Sequence, residues 1–143
     1  MSRPDVVASA LRWVGTPYHH QGSVCGAGTD CLGLIRGVWR EVCGSEPVSV
    51  PPYTQDWAEP QRDEVLWRAA RSHLIPLGGP ELGAVVLFRM RDGMVAKHLG
   101  IMSAVGIDAD AAAFVHAYMG HGVVVSPFSA PWKRRAVSYF AFP

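Results

Sequence analysis

Cysteine is scarce in this chain: Cys25, Cys31 and Cys43 are the only three among 143 residues. An odd number, with no export segment in view, excludes a complete disulfide framework, so at least one thiol is free or intermolecular. Charge is scarce as well. Charged residues make up 17%, and 13 Lys and Arg stand against 12 Asp and Glu, for a net charge of +1. That balance gives no electrostatic case for nucleic acid or an anionic membrane as partner. The short basic run Lys133-Arg134-Arg135 does not change it. No stretch approaches the roughly 20 apolar residues of a membrane-spanning helix. The opening residues, Met1-Ser2-Arg3-Pro4-Asp5, are polar, and no signal-peptide apolar segment follows them. The expectation is a chain made in the cytoplasm that does not export itself by the general secretion route.

What is present suffices for a core. Hydrophobic residues are 49% of the chain, so disorder is excluded, and the length fits one domain over residues 1–143. Helical signals fill the first half. Ser2 is placed to cap a helix with Pro4 in its first turn, and Val6, Val7, Ala10, Leu11 and Val14 form a stripe at helical spacing that Gly15 ends. The stretch from Thr16 to Gly22 cannot be regular helix, and Gly26-Ala27-Gly28-Thr29 reads as a turn. A second helix is predicted from Asp30-Cys31 to about Cys43, with Gly44 as its stop and Leu32, Ile35, Trp39 and Val42 as its apolar face. Four prolines between Pro47 and Pro60 indicate a surface loop that displays Tyr53 and Trp57, and a third helix is predicted over Gln61–His73. The second half reads as strands: 84–88, 98–103, 114–118, 123–126 and 137–142. Helices followed by a run of short strands define an α+β domain with an antiparallel sheet.

The sharpest chemical feature is Thr29-Asp30-Cys31-Leu32-Gly33-Leu34. It sets a cysteine just after a glycine turn, at a helix start. Free N–H groups and the positive end of the helix dipole favour the reactive thiolate there, and Asp30 can cap the helix. A buried structural cysteine is the plain alternative. A nucleophilic thiol needs a base, and the base needs an orienting partner. In Lys97-His98-Leu99-Gly100-Ile101-Met102, strand alternation puts Leu99 and Ile101 on one face and His98 on the other. His116, in Phe114-Val115-His116-Ala117-Tyr118, has the same spacing. If the two strands pair, the imidazoles become neighbours, and His116 is expected to accept the Nδ1 proton of His98. Cys25 and Cys31, with His19 and His20 upstream, do not have structural-zinc spacing. No metal or other cofactor is expected, and Cys25 and Cys43 read as structural thiols.

Gly15-Thr16-Pro17-Tyr18 through Gly22, Asp30 to Leu34, His98-Leu99-Gly100-Ile101 and Val115-His116-Ala117 together resemble the NlpC/p60 family of cell-wall cysteine peptidases, in order and spacing, over residues 5–126. The resemblance implies a papain-like fold with Cys31 as nucleophile, His98 as base and His116 as orienting residue. It places Tyr18 beside the nucleophile in the substrate groove, with Asp30 next to it as a second substrate-binding candidate. It implies hydrolysis of peptidoglycan stem peptides next to D-glutamyl residues. Phe88-Arg89-Met90-Arg91, Ser126-Pro127 and Pro131-Trp132 are similar to the phage-type members found in tail modules, including those of gene transfer agents. That implies tail-tip or hub proteins as partners and delivery by a particle that opens the wall for DNA entry. Many family members carry Ser after the nucleophile, where this chain has Leu32, and Gly-Asp before the first core strand, where it has Leu82-Gly83-Ala84. Two rival functions share the fold: a structural tail-hub protein without turnover, and an amidase or acyltransferase.

Overall fold

The computed structural model describes residues 2–50, 64–106 and 111–143. The elements in chain order are α1 (Pro4–Arg12), β1 (Ser23–Val24), β2 (Gly28–Thr29), α2 (Cys31–Val42), α3 (Val65–His73), β3 (Ile75–Leu77), β4 (Val85–Phe88), β5 (His98–Ala104), β6 (Ala113–Tyr118), β7 (Gly122–Pro127), α4 (Ala130–Arg135) and β8 (Ala136–Ala141). Six strands form one antiparallel sheet in the order β3-β8-β4-β5-β6-β7, and β1 and β2 make a separate small hairpin. This is the expected α+β architecture. Most of the Pro47–Pro60 loop, Tyr53 and Trp57 with it, and the first residues of the predicted third helix lie outside the described residues. Among the described residues no helix is long and apolar enough to cross a membrane.

The sheet is covered on both faces, and strand register decides which side chains go where. Val85 and Leu87 of β4 pair with Ile101 and Leu99 of β5, and Ile101 pairs in turn with Val115 of β6. These residues meet α1 and α2 in the larger core cluster. The alternate positions, Val86, Phe88, Met102 and Phe114, form a second cluster with Phe128, against which Trp132 packs. His98 pairs with Phe88, and so belongs to this second face. Burying a large apolar side chain contributes about 1.5–3 kcal/mol, so both faces matter to stability.

The two leading helices turn differently from the predicted stripes. In α1 the buried face is Val6, Ser9 and Ala10, continued by Trp13, whereas Leu11 and Val14 are each 44% exposed. Trp13 sets this orientation: its ring lies on Gly37 of α2, where an added Cβ would fall 2.0 Å from a ring carbon. The N-cap is Arg3 rather than Ser2, with no side-chain cap bond. Arg3 instead donates to the carbonyls of Phe142 and Pro143, tying the two chain ends together. In α2 the buried residues are Gly33, Leu34, Ile35, Gly37 and Val38, while Leu32, Trp39 and Val42 pack at its margin. The glycines permit the closest approach, so the helix settles on its glycine side. β3 was not legible as a strand; it holds Pro76 on the sheet edge, where a missing N–H is tolerated.

Candidate active site

The nucleophile candidate is held by backbone. Asp30 is the N-cap of α2 in extended conformation, and its Oδ1 accepts from the Gly33 N–H at 2.7 Å. Its Oδ2 accepts from the Gln21 N–H at 2.8 Å, across the loop that precedes the hairpin. Gln21 has φ 65°, a left-handed conformation that costs a non-glycine residue energy. The Asp30 bond steadies it. The carboxylate thus accepts from two backbone donors, with His20 Nδ1 4.0 Å from Oδ2, and Asp30 is 3% exposed. Asp30, expected from the sequence as a substrate-binding candidate, is seen here to build the turn that presents Cys31. Gly33 is required on the next turn, because a Cβ there would sit 1.8 Å from the Gly22 carbonyl oxygen.

The Thr16–Gly22 loop lies along the hairpin. His19 N–H donates to the Thr29 carbonyl, Thr29 N–H donates to the Pro17 carbonyl, and Tyr18 bridges to Thr29. Tyr18 thereby packs, half-buried, against the same cluster as Cys31. Burial, with the neighbouring Cys31 and Asp30, pushes the Tyr18 phenol up to about 12, so it stays protonated and able to donate.

At the other end of the site stand the two histidines. His98 opens β5 and His116 lies inside β6, and the antiparallel pairing of these strands brings the rings together. His98 Nε2 is 2.8 Å from His116 Nδ1. The atom differs from the expected one: Nε2 of His98 faces His116, which leaves Nδ1 as the nitrogen not committed to that contact. His116 Nε2 in turn lies 2.8 Å from Ser126 Oγ on β7. Phe88, Phe114 and Trp132 wall the pair, with ring-centroid separations of 5.7 Å for Phe88–His98, 4.4 Å for Phe114–His116 and 5.1 Å for His116–Trp132. Burial depresses both imidazoles, helped by His116 at His98 and by His121 at His116. His98 falls to about 3 and His116 to about 4. Both rings are neutral near pH 7.

The two ends meet at the start of β5. The Cys31 thiol donates to the Lys97 carbonyl at 3.4 Å, one residue before His98, rather than to the imidazole. Catalytic hydrogen bonds in unliganded sites are often not yet formed. Burial counts against the expected thiolate. Burial, with Asp30, pushes the Cys31 thiol up to about 12, against the opposing pull of the Leu99, Leu32 and Cys31 backbone N–H groups. Desolvation of the sulfur outweighs the helix terminus here. The resting site therefore pairs a neutral thiol with neutral imidazoles.

Leu32, directly after Cys31, lines an apolar cavity of about 900 Å³ together with Ile35, Trp39, Leu66, Ala70 and Leu99. The cavity adjoins the site through Leu32 and Leu99, neighbours of Cys31 and His98. Among the described residues no group of three His, Cys, Asp or Glu side chains converges as a metal site would require. Ser126 and the Trp132 wall were not singled out as site residues from the sequence. Each becomes visible only once the β5-β6-β7 register and the return of α4 across the sheet are known.

A cysteine at a helix start thus lies beside a strand whose first residue is a histidine bonded to a second histidine. Residues 15–140 match the NlpC/P60 family, and the chain belongs to that family. It is similar to the murein DD-endopeptidase MepS/murein LD-carboxypeptidase of Escherichia coli K12, with 32% identity over 124 residues. The match takes in 86% of this chain and 54% of that protein, so the chain spans about half the length of the curated relatives it matches. Among solved structures it resembles the NlpC/p60 domain of the peptidoglycan hydrolase SagA, with 22% identity, TM-score 0.58 and 97% of each chain covered. It also resembles an NlpC/P60 family protein from Bacillus cereus, with 18% identity, TM-score 0.60, and 95% of this chain and 38% of that one covered. These structural likenesses concern the fold.

Proposed function

We propose that this chain is a cysteine peptidase that hydrolyses peptidoglycan stem peptides next to D-glutamyl residues. The observation that carries the reading is the placement of the Cys31 thiol against the Lys97 carbonyl, one residue from an imidazole already oriented by His116 at 2.8 Å. Family membership and the similarity to a murein endopeptidase support the substrate class.

In this mechanism Cys31 attacks the amide carbonyl. Because thiol and imidazole are both neutral at rest, the proton moves to His98 Nδ1 as the sulfur attacks rather than beforehand. His116 keeps the Nε2 proton of His98 in place and shares the charge that forms on the ring. The Cys31 backbone N–H at the start of α2 helps hold the oxyanion, and the Tyr18 hydroxyl is a donor at the groove. His98 then returns its proton to the leaving amine, and water resolves the thioester. Digestion of purified peptidoglycan, read by mass spectrometry, tests this reading. New D-glutamyl carboxyl ends paired with new amines support it, and an unaltered muropeptide profile refutes it.

Delivery belongs to the same proposal: the protein acts on the cell wall as part of a phage-like or gene-transfer-agent tail, bound to tail-tip or hub proteins. Its support is the likeness of Phe88–Arg91, Ser126-Pro127 and Pro131-Trp132 to tail-associated members. Antibody detection in purified particles is expected, and absence from particles ends this part without touching the chemistry.

A further inference from the structure

His116 has two ring nitrogens and both are occupied in the structure. Nδ1 faces His98 Nε2 and Nε2 faces Ser126 Oγ, each at 2.8 Å. A neutral imidazole carries one proton, so the chain can be wired in two ways. In the first, His116 Nε2–H donates to Ser126, and His116 Nδ1 accepts from His98 Nε2–H. His98 Nδ1 then holds a lone pair and can take a proton from a thiol. In the second, every bond is reversed, His98 carries its proton on Nδ1, and it is no base toward Cys31. A serine hydroxyl can serve either wiring. The two differ in what they lose without it. The first leaves a buried N–H donor with no acceptor, and the second leaves only a lone pair unused. Orphaned buried donors are the rarer and costlier of the two.

We propose that Ser126 is a positioning residue: its oxygen accepts from His116 and thereby holds the His116–His98 pair in the tautomer that can deprotonate Cys31. Register is what brings it there. Ser126 pairs with Phe114, so it stands one diagonal step from His116, which pairs with Val124. The hydroxyl is half-buried, and its partner among the described residues is His116. The ring it serves is 0% exposed and walled by Phe114 and Trp132.

The inference rests on the reading of Cys31, His98 and His116 as the catalytic set, and the test keeps the two apart. Nitrogen-15 NMR of the imidazoles in the full chain, near pH 7, is expected to show the proton on Nε2 in both His98 and His116. In Ser126→Ala the Nδ1–H form is expected to grow in both rings, with kcat on a stem peptide falling about tenfold and KM little changed. Ser126→Thr keeps the oxygen and is expected to restore both the spectrum and the rate. A His116 proton found on Nδ1 in the wild type overturns the proposal. So does a Ser126→Ala spectrum and kcat equal to wild type, or a Thr variant that behaves like Ala. His98→Ala is measured alongside: if it retains wild-type turnover, the catalytic reading itself fails. If it is inactive while Ser126→Ala is unchanged, the role of Ser126 alone fails.

Discussion

The two ends of the site are built on different physical principles. Cys31 is placed by backbone: a helix cap, a left-handed Gln21 and glycines at 22 and 33 packed closer than any side chain allows. The histidines are brought together by strand pairing and held by side chains, through a relay from His98 to His116 to Ser126 inside an aromatic wall. The backbone-built end resists adjustment, and changes to its cap and its glycines act through folding. The side-chain-built end is tuned by protonation, and changes there act through chemistry while the sheet stays whole.

That contrast can be broken in graded ways. Cys31→Ala is expected to lower kcat/KM on a stem peptide by on the order of 10⁴-fold or more with the fold intact; steady-state kinetics with circular dichroism checks both halves. His98→Ala is expected to cost about 10³-fold or more, again without unfolding. Gly33→Ala at the other end is expected to destabilise the domain by about 3 kcal/mol or more, because the clash is with backbone oxygen and neither helix nor loop can yield. Urea denaturation measures it, and a shift below about 0.5 kcal/mol would mean the contact is looser than described. His116→Ala is expected to lose less activity than His98→Ala, about 10–100-fold, since an orienting residue acts through the proton carrier.

The contrast also shows in stability against pH. An ordinary histidine titrates near about 6.5, whereas His98 and His116 are held down to about 3 and about 4 in the fold. Between those limits the unfolded chain takes up protons that the folded chain refuses. Stability is therefore full above about pH 6.5 and declines as pH falls toward the folded values. His116→Asn is expected to flatten that decline relative to wild type in denaturation midpoints at pH 4.5 and pH 7. An unchanged slope would show that His116 is not buried in its neutral form.

The sequence made the two ends legible to different degrees. Cys31 stands out locally, because turn glycines, a capping acid and a helix start lie within a few residues of it. His98 and His116 were legible through strand alternation, and the strand bounds came within a residue or two. Three things were not. The turn of α1 and α2 depends on Trp13 meeting Gly37, a contact between helices that no single-helix stripe reveals. The role of Asp30 depends on Gln21, whose N–H meets its carboxylate only once the loop closes. The protonation of the site depends on burial: helix-terminus reasoning favours a thiolate, but desolvation of the sulfur reverses the sign.

Covalent catalysis by Cys31 is tested most directly by catching the intermediate. Wild-type protein turning over a stem peptide is quenched in acid, and its intact mass and peptide map are measured beside Cys31→Ala and His98→Ala. A thioester adduct of the acyl fragment is expected on Cys31 in the wild type. None is expected in either variant, and Cys31→Ala should release no product. Product release by Cys31→Ala at the wild-type rate, with no adduct on Cys31 in the native protein, would contradict the assignment of the nucleophile and the mechanism with it.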